Sequence, residues 1–262
     1  MVFEFELGRL LVCPGRKLCG MLYSQKVDPE APIVVSGISA RHGIIPIHIT
    51  SSSEVLGTVQ VLAFVDVSKS DVSIEQLAAE FEATGKVKVL EVIKPTLDGL
   101  LIDTASDWLT IGGSRALIVP ELCYGQLING VKERFGSGGE AFLYHEGIEA
   151  GRGFGRMHLA IAAAIGITDP AVVFEKVSAP MLQWGGAGKV ESVRIGESGG
   201  SISVRSLYEC EGTKGKGRPY GTMFRGVLAG ILRELFGRDF EVEETECVAK
   251  GDEMCSFVLR GK

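Results

Sequence analysis

Apolar residues recur every three or four positions late in the chain. Met223, Val227, Leu228, Ile231, Leu232 and Leu235 form one stripe, which predicts a helix laid on a sheet and stopped by Gly237. Beyond it Phe240, Val242 and Glu244 alternate with Glu241 and Glu243, which is strand spacing. Cys247 and Cys255 then flank a Lys250-Gly251-Asp252 turn before Ser256-Phe257-Val258-Leu259 returns. The pattern predicts a hairpin with two thiols across from each other.

Nearer the start, Phe3, Phe5 and Leu7 alternate with polar neighbours and predict an opening strand. Ile33-Val34-Val35 reads as a strand, 41–52 as a short helix or turn, 57–67 as a strand, 74–83 as a helix and 87–93 as a strand. Pro95 and the polar residues Thr96, Asp98, Gly99, Asp103 and Ser106 mark 97–108 as a linker. After it, 116–119 reads as a strand and Pro120 opens an amphipathic helix that Gly136 closes. A strand at 141–145, a glycine-rich passage at 147–155 and helices at 157–165 and 170–182 follow. Strands at 189–195 and 201–208 precede a flexible polar segment at 210–217. The expected fold is α/β of the α+β kind in two domains: 1–96, a small βαβ sandwich, and 109–262, a mixed sheet with helices.

Composition narrows the function. The chain has 262 residues, 45% hydrophobic and 23% charged, normal for one or two soluble globular domains. A formal charge of -6 and no block of Lys or Arg argue against direct nucleic-acid binding. No apolar run is long enough to cross a bilayer and no secretory leader pattern opens the sequence, so the reading is a cytoplasmic protein without membrane contact. Six cysteines scattered over this length do not form a disulfide framework and are expected to be reduced.

Candidate chemistry gathers at the hairpin. Glu244 stands three residues before Cys247, so it, Cys247 and Cys255 supply three of the four ligands zinc takes. Two small buried thiols without metal are the alternative. The glycines at 147, 151, 153 and 155 do not fit the Gly-x-Gly-x-x-Gly pattern and Gly185-Gly-Ala-Gly188-Lys189 lacks the outer residues of a phosphate loop, so no nucleotide cofactor is expected. These glycines point to close helix packing instead. Phe142, Phe154, Trp184, Tyr220 and Phe224, with His145 and His158, are candidates to wall an apolar pocket for a small hydrophobic or aromatic ligand, or to fill a core. The four histidines sit in no recognisable nucleophile motif, and no catalytic residue is assigned.

Arg218-Pro-Tyr-Gly-Thr-Met-Phe-Arg-Gly226 and Val242-Glu-Glu244-Thr-Glu-Cys247, continuing through Gly251 to Cys255-Ser-Phe257, resemble the signature of the 4-vinyl reductase domain. That family includes a bacteriochlorophyll-synthesis protein, the sensor modules of phenol-responsive activators and vesicle-tethering subunits that hold an acyl chain. The resemblance implies a small-molecule pocket over 109–262. In the phenol sensors the matching Glu and two Cys bind zinc with a third cysteine, whose position here is Gly221, leaving Cys210 as the nearest replacement. Ser36-Gly-Ile-Ser-Ala-Arg-His-Gly43, within 1–96, resembles the ACT regulatory domain and implies ligand binding at Gly43. Both resemblances imply a homodimer. Together they suggest a sensor or regulatory protein acting through a downstream partner, with an enzyme or carrier of tetrapyrrole metabolism as the alternative.

Overall fold

The computed structural model describes residues 6–262. Phe3 and Phe5 of the expected opening strand lie outside the described residues, and Leu7 is in irregular backbone. The chain divides into two compact units, 1–109 and 110–262.

The first unit runs β1 (Leu10–Val12), β2 (Leu18–Lys26), α1 (Glu30–Arg41), β3 (Ile45–Ser51), β4 (Thr58–Asp66), α2 (Ile74–Ala83), β5 (Val87–Ile93) and β6 (Leu100–Ile102). Its four-stranded sheet has the order β3-β4-β2-β5 with every pair antiparallel, while β1 and β6 form a short ribbon. This is the split βαβ arrangement, in agreement with the ACT-like fold class. Alternation sets the two faces. Met21, Tyr23, Val61 and Ala63 pack with Ile38, Leu77 and Phe81 of the helices, and Leu18, Leu62, Phe64 and Ile93 pack with Leu101 on the opposite face.

Three expectations fail in this unit. Ile33-Val34-Val35 lies inside α1, because Asp28 accepts the Glu30 and Ala31 N–H groups at 2.8 and 2.9 Å and starts a helix whose Ala31 and Ile38 are buried. Residues 45–51 form β3 rather than a helix: Ile45, Ile47 and Ile49 alternate with Pro46, His48 and Thr50, which is strand spacing, and the segment pairs with β4. The expected linker contains β6, whose Leu101 is fully buried. Gly43 therefore joins a helix to a strand, not a strand to a helix. Its φ of +64° and a Cβ position 2.9 Å from the Lys69 carbonyl oxygen account for the glycine.

A two-stranded ribbon, β7 (Leu109–Ile111) with β8 (Ser114–Ala116), precedes the helices of the second unit. The strand expected at 116–119 ends at Ala116, and 117–120 is irregular. Helix α3 (Glu121–Ala164) is interrupted at Gly136, where φ 53° and ψ -133° are not helical. Gly136 does not close the helix, which resumes at once, and 141–145 is helical rather than a strand. The cause lies across the interface, in α6. After α4 (Pro170–Val173), a π-helical turn (Phe174–Ser178) and α5 (Ala179–Trp184) come β9 (Lys189–Gly196), β10 (Gly199–Arg205), α6 (Thr222–Phe236), β11 (Phe240–Glu246) and β12 (Cys255–Gly261).

The sheet has the order β11-β12-β10-β9, all antiparallel. Leu228, Ile231, Leu232 and Leu235 of α6 share its core with Ile202, Val204, Phe257 and Leu259. On its other side α6 meets α3 backbone to backbone. A Cβ at Gly151 would lie 2.2 Å from the Val227 carbonyl oxygen, and one at Gly230 would lie 2.1 Å from that of Ile148. Gly147 and Gly226 face each other in the same way. The four-residue glycine spacing only makes such a seam if 141–155 is helical, which overrides the strand-like look of Ala141-Phe-Leu-Tyr-His145. Gly237 ends α6 in the left-handed conformation, its N–H on the Arg233 carbonyl at 2.9 Å. No described helix is long and apolar enough to cross a membrane.

Candidate metal centre

Strand alternation turns Phe240, Val242 and Glu244 of β11 toward α6, so Glu244 is a carboxylate on a core-facing row. The chain then leaves the strand at Cys247, whose N–H is held by the Asp252 carboxylate at 2.8 Å, and a turn closed by Gly251 at φ 106° returns it to Cys255. Cys255, Phe257 and Leu259 are the inward row of β12. The fourth group arrives from the loop between β10 and α6: Cys210, its carbonyl bound by the Thr213 hydroxyl at 2.7 Å.

The sulfurs of Cys210, Cys247 and Cys255 and a carboxylate oxygen of Glu244 lie within 4.8 Å of one another, all on buried residues. Cys210 and Cys247 sulfurs are 3.6 Å apart, Cys247 and Cys255 sulfurs 3.9 Å, and Cys210 Sγ is 3.9 Å from Glu244 Oε1. Metal–sulfur bonds of about 2.3 Å at tetrahedral angles put sulfurs about 3.8 Å apart, so the spacing suits a tetrahedral ion. Gly221 supplies no ligand. Its N–H donates to Glu244 Oε2 at 2.9 Å, and a Cβ there would stand 3.1 Å from Glu244 Oε1. Cys210, and not Gly221, is the fourth member of the cluster. Crowding among these acids shows in their protonation: burial, then Cys247, pushes Glu244 up to about 8. Contact with Cys210 holds the Cys247 thiol far below its ordinary range, and contact with Cys247 pushes Cys210 far above it.

A second buried polar group adjoins the first. Glu209 Oε1 accepts the Met223 N–H and Oε2 accepts the Phe224 N–H, both at 2.9 Å, capping the first turn of α6. Lys132 of α3 donates to Glu209 Oε1 at 2.8 Å and to the Tyr220 carbonyl at 2.5 Å, and its Nζ lies 3.7 Å from the centre of the Tyr220 ring. Neither residue stands out in the sequence. The available signal is a lysine beside Ile128 and Val131, on the apolar side of a helix, and a glutamate next to a candidate ligand.

The expected pocket residues are not drawn together. Phe224 is 1% exposed and packs on Phe257 with ring centres 5.3 Å apart, which makes it core. Tyr220 is buried against Lys132. Phe142, Phe154 and Trp184 are 56%, 43% and 68% exposed, and His145 is exposed too. His158 is buried and stacks on Phe154, with its Nδ1 unpaired and its pKa lowered to about 4 by burial. Gly43 belongs to the other unit. A groove of about 380 Å³ opens elsewhere in the second unit, between Glu121, Leu122, Gly125, Gln126, Ile128 and Asn129 of α3 and the loop 208–213.

Residues 201–261 match the family model of the 4-vinyl reductase domain, the class that the hairpin residues resemble, and the matched stretch includes all four members of the cluster. A stretch of 45 residues is 40% identical to protein MJ1460 of Methanocaldococcus jannaschii, spanning 17% of this chain and 28% of that relative's length. Among solved structures, the chain is similar to the phenol-responsive sensory domain of the transcription activator PoxR with phenol, at 16% identity and a TM-score of 0.49. That similarity covers 57% of this chain and 78% of the other. It is also similar to an ACT domain protein from Streptococcus pneumoniae, at 19% identity and a TM-score of 0.26, over 30% of this chain and 91% of that one.

Proposed function

We propose that this chain is a small-molecule-binding regulatory protein whose second unit is built around a zinc ion held by Cys210, Glu244, Cys247 and Cys255. The observation that carries the reading is the convergence of three sulfurs and one carboxylate, brought from three separate segments, within 4.8 Å in a buried site. Three thiolates favour a soft or borderline ion, and zinc accepts a mixed sulfur and oxygen set. Four protein ligands leave no open position for a substrate, so the ion is structural: it ties the β11–β12 hairpin to the loop that leads into α6. The family match over the same residues supports a binding module. In this reading the ligand is a small hydrophobic or aromatic molecule, the protein is a homodimer, and the first unit, with its ACT-like fold, takes part in passing the bound state to a partner protein.

The test is metal content against stability. Cys247→Ser and Cys255→Ser should each lower zinc content and thermal stability together, and a chelator should do the same to the unaltered protein. Full stability in metal-free protein would defeat the structural ion. Light scattering at high micromolar concentration measures the dimer separately; a monomeric mass removes that part alone.

A further inference from the structure

The loop 208–213 faces two ways. Cys210 turns inward to the cluster, whereas Tyr208, Glu209, Glu211, Gly212 and Thr213 make one wall of the groove of about 380 Å³. The loop is held to the rest of the unit by a few anchors: Cys210 among the sulfurs, the Glu209 carboxylate on α6 and Lys132, and the Tyr208 N–H on the Ala187 carbonyl at 3.1 Å. Only the first depends on a metal, and it lies in the middle of the wall. The groove's size suits a molecule of one or two rings. Its lining sorts candidate ligands by charge. Leu122, Ile128 and Tyr208 offer apolar surface, and Gln126 and Asn129 offer amides. Glu121 and Glu211 add carboxylates, and among the described residues no Lys, Arg or His lines it. Lys132, which pairs with Glu209 behind the lining, is buried and committed to Glu209 and the Tyr220 carbonyl. An anion entering here would meet carboxylates without a counter-charge in the lining, while an ammonium would find acceptors.

We propose that this groove is the ligand site, that it takes a small ring-bearing amine, and that metal occupancy sets its affinity through Cys210; the coupling rests on the metal reading above. The groove and not the Phe224 region is then where the ligand sits.

The 262-residue chain, loaded with zinc, is titrated with 2-phenylethylamine and with phenylacetate, which share a ring and differ in charge, while the side-chain amide resonances of Gln126 and Asn129 are followed by NMR. The amine should shift both and phenylacetate neither. Chelation should weaken the amine about tenfold, a change of about 1.4 kcal/mol, as the wall loses its Cys210 anchor. Leu122→Arg, on the exposed rim and away from the cluster, should abolish the shifts with zinc content unchanged, and Glu211→Gln should weaken them several-fold. Equal binding of phenylacetate, no shift with either probe in zinc-loaded protein, or unchanged amine affinity after chelation would overturn the proposal. Elemental analysis separates the two levels: absence of metal removes the metal reading and the coupling with it, whereas bound metal with no amine response removes the groove alone.

Discussion

The two units solve the same problem, a helix layer on an antiparallel sheet, with different interiors. In the first, packing is apolar throughout, and Asp66 is its one buried charged residue among those described. The second buries Lys132, Glu209, His158 and Glu244 together with Cys210, Cys247 and Cys255. Burying charge is costly unless partners are supplied, so a polar interior marks where a protein has something to hold. The first unit is a scaffold in this respect. The second is organised around its polar groups.

Breaking the second interior should therefore cost more than trimming the first. Lys132→Ala strands the Glu209 carboxylate in a buried site and should destabilise by roughly 3 to 5 kcal/mol in urea unfolding. A loss below about 1 kcal/mol would mean that water reaches Glu209. Gly151→Ala forces a methyl into the Val227 carbonyl and should cost about 2 kcal/mol or more, whereas Gly153→Ala, with nothing within 4 Å, should be neutral or gain up to about 1 kcal/mol. Equal effects at the two sites would contradict the glycine seam.

The seam also shows what was legible in the chain. Helix α6, strands β11 and β12, and the hairpin thiols follow directly from spacing, because each is amphipathic over enough residues to fix its period. Residues 33–35 and 141–145 mislead for one reason: a short apolar run carries no period of its own, and distant partners decide it. Strand β2 goes unread, although it lies at the centre of its sheet, since Gly20 and Ser24 break its apolar row. At the candidate site Glu244, Cys247 and Cys255 are readable from the hairpin. The place of Cys210 among them depends on how a loop folds over α6, and the Lys132–Glu209 pair depends on two segments 77 residues apart.

A milder contrast lies in two histidines. His158 of the second unit, its pKa lowered from 6.5 to about 4 by burial, is neutral when folded. Its contribution is present above pH 6.5 and is lost as pH falls toward 4, by about 2 to 3 kcal/mol. His42 of the first unit has its pKa raised by hydrogen bonds to Asp71 and then Glu80. Its contribution is present below the ordinary imidazole range and is lost as pH rises through the raised value. Unfolding followed at about pH 5 and about pH 8, on either side of the ordinary imidazole range, should show His158→Leu flattening the acid slope and His42→Ala changing the alkaline side. The same slope in both variants would contradict the assignment. Smallest of all, Ser73→Ala removes the capping box of α2 and should cost about 1 kcal/mol, confined to the first unit.

X-ray absorption at the zinc edge of protein purified without chelator tests most directly whether Cys210, Glu244, Cys247 and Cys255 hold a metal. The expected spectrum shows about one zinc per chain with three sulfurs near about 2.3 Å and one oxygen near about 2.0 Å. Less than about a tenth of an equivalent of any transition metal after zinc-supplemented expression, or a shell of nitrogen and oxygen alone, would contradict it.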